Sequence, residues 1–80
     1  MGGKKGKKVH FSGHACNQIK LRGADVVFII KVVNGEVPCR RMPDDCPWRV
    51  KLIATDDKNK KWCIIYEERR RNIVTIFPIE

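Results

Sequence analysis

Histidine is the one side chain whose ordinary pKa lies between pH 5 and 8, and this chain has two, His10 and His14. His14 sits two residues after Ser12, in the first turn of an expected helix, where it can move a proton or simply bond backbone or a neighbouring strand. His10 lies on a short strand candidate and reads as structural. Four cysteines, Cys16, Cys39, Cys46 and Cys63, are the other soft ligands. Cys16 and Cys63 fall inside periodic segments, where a free thiol behaves as a small hydrophobe. Cys39 and Cys46 are separated by six residues, unlike the C-x2-C of a zinc knuckle, so a metal site and a reversible disulfide both stand as minor readings. No zinc or other metal site is expected, and no cofactor. A Ser–His–Asp arrangement, a P-loop and a Gly-rich dinucleotide turn are absent from the sequence. Trp48, after Pro47 at a strand start, is the better candidate for an exposed stacking surface. Trp62 is expected to pack against a helix.

Cations are the most abundant chemistry. The chain holds 17 Lys+Arg against 9 Asp+Glu, a net +8. Lys4, Lys5, Lys7 and Lys8 fall in a glycine-rich start, so residues 1–8 read as a disordered basic tail. A basic body remains over residues 9–80, which favours an anionic partner, nucleic acid or an acidic protein, through Coulomb attraction and counterion release. The longest apolar run, Val26 to Val33, is broken by Lys31 and falls short of the roughly 20 residues of a spanning helix. No apolar signal region follows the charged start. A cytoplasmic location is therefore expected, with no membrane partner and with reduced cysteines.

These side chains need a scaffold, and 80 residues allow one small core. After the strand candidate Val9-His10-Phe11, Ser12 is a helix cap. Ala15, Ile19 and Arg22 recur at helical spacing, and Gly23 is a natural stop. Asp25 caps a second start and Asn34-Gly35 ends it. The intervening Val26 to Val33 is ambiguous. Its β-branched content argues for strand. Its caps and the spacing of Val26, Ile29, Ile30 and Val33 argue for helix. Period two then takes over, predicting strands over Glu36–Met42, Trp48–Thr55, Lys61–Glu68 and Ile73–Ile79. Pro38 suggests an edge position for the first. Val50, Leu52 and Ala54 share one face, and Arg49, Lys51 and Ile53 the other. The expected architecture is α+β: two N-terminal helices on one face of a four- to five-stranded antiparallel sheet, in the order β-α-α-β-β-β-β.

The motifs Phe11-Ser12-Gly13-His14-Ala15, Arg22-Gly23-Ala24-Asp25-Val26 and Asn34-Gly35-Glu36, with Arg49-Val50 and the end Ile73-Val74-Thr75-Ile76-Phe77-Pro78, resemble a small uncharacterised bacterial and archaeal family. That family opens F-[ST]-x-H-A, continues R-G-I-x-x-x-D-V and N-G-E, and closes I-x-T-x-[YF]-P. It is similar in layout to the BrnT and RelE/ParE toxins. The chain departs from it at Asn17-Gln18-Ile19, where the family carries Arg-Met, and in having Ala24 alone between Arg-Gly and Asp-Val. The resemblance implies a toxin-like, metal-independent ribonuclease of a toxin–antitoxin-type system. Its RNA substrate would be met free or on the ribosome, and an acidic antitoxin-like protein would cover the same basic surface. Such cleavage needs a base for the ribose 2′-OH, an acid for the 5′ leaving oxygen and cations for the phosphorane. The implied catalytic residues are His14 with Tyr66, Lys51 or Glu67. The implied phosphate contacts are Arg22, Arg49, Arg69, Arg70 and Arg71. Two other readings fit the same scaffold, a non-catalytic protein- or nucleic-acid-binding module and a ParE-like inhibitor of a protein target. The residues also admit plainer roles. Tyr66 alternates with Trp62 and Ile64 as a core residue does, Arg49 and Lys51 can line a solvated sheet face, and Glu67 and Glu68 can neutralise part of the arginine run.

Overall fold

Ser12 stops being helical where its hydroxyl becomes more useful as a cap. In a computed structural model describing residues 8–79, its backbone is extended and its side chain accepts from the Ala15 amide, starting α1 (Gly13–Arg22). Gly23 ends that helix in the left-handed region at φ 67°, a conformation costly for a residue with a Cβ. Asp25 caps α2 (Val26–Val33) by accepting from the Val27 amide at 2.9 Å. The Glu36 amide reaches the Lys31 carbonyl and the Gly35 amide the Val32 carbonyl, with Gly35 at φ 81°. This paired closure satisfies two otherwise orphaned carbonyls. Caps at both ends therefore settle the ambiguous Val26–Val33 segment as helix. The basic tail expected over residues 1–8 lies outside the described residues except for Lys8.

The remaining elements are strands: β1 (His10–Phe11) ahead of α1, then β2 (Arg40–Pro43), β3 (Arg49–Thr55), β4 (Lys61–Glu67) and β5 (Asn72–Ile79). The α+β class and the expected element order hold. The sheet order is β1-β5-β4-β3-β2. β2 to β5 form the antiparallel meander implied by their short loops. The sheet as a whole is mixed, because β1 pairs parallel to β5, with His10 opposite Asn72. The all-antiparallel expectation is corrected there. A parallel pair requires a long crossover, and here α1 through β4 supply it. β2 also starts later than expected, at Arg40 instead of Glu36. Pro38 has no amide to give a ladder and restricts Val37 before it.

Both helices cover the same sheet face. Ala15 of α1 and Ile29 and Val32 of α2 join Leu52, Ala54, Trp62, Ile64, Tyr66, Ile73 and Ile76 in one core. Ile29, Ile64, Ile73 and Ile76 are fully buried, and each such side chain contributes about 1.5–3 kcal/mol by leaving water. β5 carries a register shift opposite Ile65 and Tyr66, which leaves Val74 without a cross-strand partner. The Ser12 hydroxyl donates to the Val74 carbonyl at 2.8 Å, and the Ser12 amide donates to Ile73. One residue thus caps α1 and fastens it to the bulge. Among the described residues no helix packs on the opposite sheet face, and that face positions the candidate site.

Candidate nucleic-acid interface

Strand register decides which side chains share the face turned away from the helices. Directly paired residues point the same way. Because Leu52 and Ile64 point to the helices, the alternate pairs Arg49–Glu67, Lys51–Ile65, Ile53–Cys63 and Thr55–Lys61 point away from them. Arg40 joins them opposite Ile53, and Phe77 opposite Cys63. A row of cations, Arg40, Arg49, Lys51 and Lys61, therefore crosses a face whose middle is apolar. At one end an open groove of about 850 Å³ is lined in part by Val37, Arg40, Ile53, Lys61 and Ile79. Arg40 and Lys61 were not singled out by sequence. The cross-strand register that reveals them depends on pairing and not on local pattern.

At the other end of the face Trp48 stands 54% exposed in the turn before β3. With Glu67, Arg69 and Arg70 it lines a cleft of about 380 Å³. Arg69 and Arg70 are exposed. Arg49 pairs with Glu67 across β3 and β4, its Nε 3.9 Å from a Glu67 carboxylate oxygen, too long for a hydrogen bond. That Nε is buried without a hydrogen-bond partner among the described residues. The other Glu67 oxygen accepts from the Asn72 side-chain amide at 3.2 Å.

The implied catalytic trio is not brought together. His14 is exposed on α1, Lys51 faces away from the helices, and Tyr66 faces into the core beneath them. Tyr66 is 5% exposed and its hydroxyl has no hydrogen-bond partner among the described residues. Burial pushes its phenol pKa up, only partly opposed by nearby Arg71, so it stays protonated and makes a poor base. Glu67 lies on the Lys51 face of the sheet but on the far side from the helix carrying His14.

The implied phosphate contacts divide as well. Arg69 and Arg70 are exposed and line the Trp48 cleft, and Arg49 pairs with Glu67 of that cleft. Arg22, in the last turn of α1, donates to Gln18 one turn earlier at 2.6 Å. Arg71 is structural: its Nε donates to the Lys8 carbonyl and its Nη2 to the Asn34 side chain, both at 2.8 Å. It joins the chain before β1 to the end of α2. Glu68 is taken by Arg41, an ion pair that pushes the Arg41 pKa up through the side-chain hydrogen bond. Glu68 thus neutralises an arginine on β2 and leaves the run at 69–71 alone.

All four cysteines are free thiols, with Cys16 and Cys39 exposed and Cys63 buried. Burial pushes the Cys63 pKa up. Among the described residues no three His, Cys, Asp or Glu side chains gather as a metal-holding group. No described helix is long and apolar enough to cross a membrane. Comparison of the chain with protein families, with curated proteins and with solved structures finds no match.

Proposed function

We propose that this chain is a non-catalytic module that binds single-stranded RNA in the cytoplasm, on a scaffold of the BrnT and RelE/ParE type. One observation carries the reading. Trp48 is exposed and lines one cleft with Arg69, Arg70 and Glu67, and Glu67 pairs with Arg49 of the cation-bearing sheet face. An indole offers a stacking surface to an unpaired base, which a duplex keeps inside its own stack. Guanidinium groups at its edge are placed for the phosphates on either side. Arg49 and Lys51 extend the positive track along the sheet. RNA is the natural source of such bases, because sequence-specific RNA recognition targets loops and single strands. An acidic antitoxin-like protein segment would compete for the same surface.

The toxin-like ribonuclease reading has less support, since His14, Lys51 and Tyr66 lie on separate surfaces and no pair is set for proton transfer. Fluorescence anisotropy tests the binding reading, with labelled single-stranded and duplex RNA titrated across salt. Single strands should bind more tightly than duplex, and Trp48→Ala should remove most of that preference. No binding to single strands at low salt sinks the proposal. Cleavage of RNA in excess chelator, lost in His14→Ala, would restore the ribonuclease.

A further inference from the structure

Glu67 is out of place in a site built only for phosphate. It lines the cleft with Trp48, Arg69 and Arg70, and its side chain is only 15% exposed. Its partners leave it with spare acceptor capacity. Asn72 donates one long bond to one oxygen, and Arg49 stays beyond hydrogen-bond reach of the other. An ionised carboxylate accepts about four hydrogen bonds and donates none. Beside an indole face and two guanidinium groups, it selects a flat ligand that is anionic at one side and donor-rich at its edge.

Resting on the RNA-binding reading, we infer that this cleft is a subsite for one unstacked guanine. Among the four bases only guanine presents two adjacent donors on its pairing edge, the N1–H and the N2 amino group. Adenine and cytosine each set a ring-nitrogen acceptor beside their amino donor, and uracil sets carbonyl oxygens on both sides of its N3–H. A carboxylate repels those acceptors. Guanine therefore stacks on Trp48 with its donor edge on Glu67, and Arg69 and Arg70 hold the flanking phosphates. A site built to meet donors rejects a base that leaves its buried acceptor unpaired.

The test uses the full chain and labelled pentanucleotides of uridine with G, A, C, U or inosine at the centre, with matching DNA strands alongside. The G strand should bind roughly tenfold more tightly than the A, C and U strands, the scale of one bidentate contact. Inosine, which lacks the N2 amino group, should fall between. Glu67→Gln keeps the shape and an acceptor for Asn72, and should level the G preference while leaving the U strand bound. Trp48→Ala should weaken every strand alike. Equal binding of all five RNA strands, or an unchanged G preference in Glu67→Gln, overturns the guanine assignment and leaves the RNA reading standing. A DNA series that shows the same preference assigns the subsite to the base alone. Failure of every strand to bind removes the RNA reading itself.

Discussion

At the scale of single residues, Asp56 does more than a loop aspartate is expected to do. One of its oxygens accepts from the amides of Lys58 and Lys60, and the other accepts from the Trp62 indole N–H at 2.9 Å. The indole bond first, and the backbone bonds after it, hold the Asp56 pKa below the ordinary carboxylate value. A lowered folded-state pKa means stability that is present above about pH 4, the unfolded value, and lost as pH falls through the folded one. Urea unfolding midpoints between pH 6 and pH 2 should therefore fall more steeply for the native chain than for Asp56→Asn. Parallel curves would show that the bonds are not felt in stability. Arg71 offers a second test, because it holds φ at 51° without being glycine. Arg71→Ala and Arg71→Gly lose the same two hydrogen bonds, and only alanine keeps the strained backbone. The glycine variant should be the more stable by roughly 1 kcal/mol. Thiol labelling makes a third check: exposed Cys16 and Cys39 should react in the folded chain, and Cys63 only on unfolding.

Elements divide into those fixed by neighbours in sequence and those fixed by partners far away. Ser12, Gly23, Asp25 and Gly35 act within a few residues, so the first helix was legible from the chain alone and the second was legible in its ends but ambiguous in its middle. Even Val26–Val33, β-branched throughout much of its length, yields to its caps, although Val26 and Val27 remain 41% and 58% exposed. The hairpin strands β3 and β4 were legible because period two is local. The partner of β1 was not, since its ladder joins residues about sixty positions apart and two residues carry no readable period. The site followed the same division. Trp48 was picked out by its place after Pro47 at an expected strand start, and its company of Glu67, Arg69 and Arg70 appears only once β3 and β4 are in register. Arg71 looked like its two neighbours and serves another purpose, because its partners Lys8 and Asn34 lie across the fold. Ser12 joins the local and distant kinds. Ser12→Ala removes a cap worth about 1 kcal/mol and a tertiary bond worth about 0.5–1.5 kcal/mol. Denaturant unfolding should register a loss near their sum, and Ser12→Thr should recover much of it. A loss confined to helix fraying, with the global midpoint unchanged, would mean that the Val74 bond contributes nothing.

For the whole molecule the governing quantity is charge in relation to face. A net +8 chain whose sheet face away from the helices carries four cations should bind RNA with strong salt dependence. The slope for single strands is about 0.7 per phosphate neutralised. Arg69→Ala and Arg70→Ala should each lower that slope by about that amount and weaken all sequences alike. Arg22→Ala, on the far helix end and tied to Gln18, should leave it unchanged. An equal effect from Arg22 would move the interface off the sheet. The parallel β1–β5 ladder also has a consequence in time. The first strand has no lateral neighbour until the last one exists, and the bulge carbonyl that Ser12 holds belongs to that last strand. During synthesis the N-terminal elements must wait, with the apolar side of the first helix unseated, until Asn72 and Ile73 have emerged from the ribosome. A chain cut short before Asn72 should therefore leave its N-terminal end unpaired and open to proteolysis.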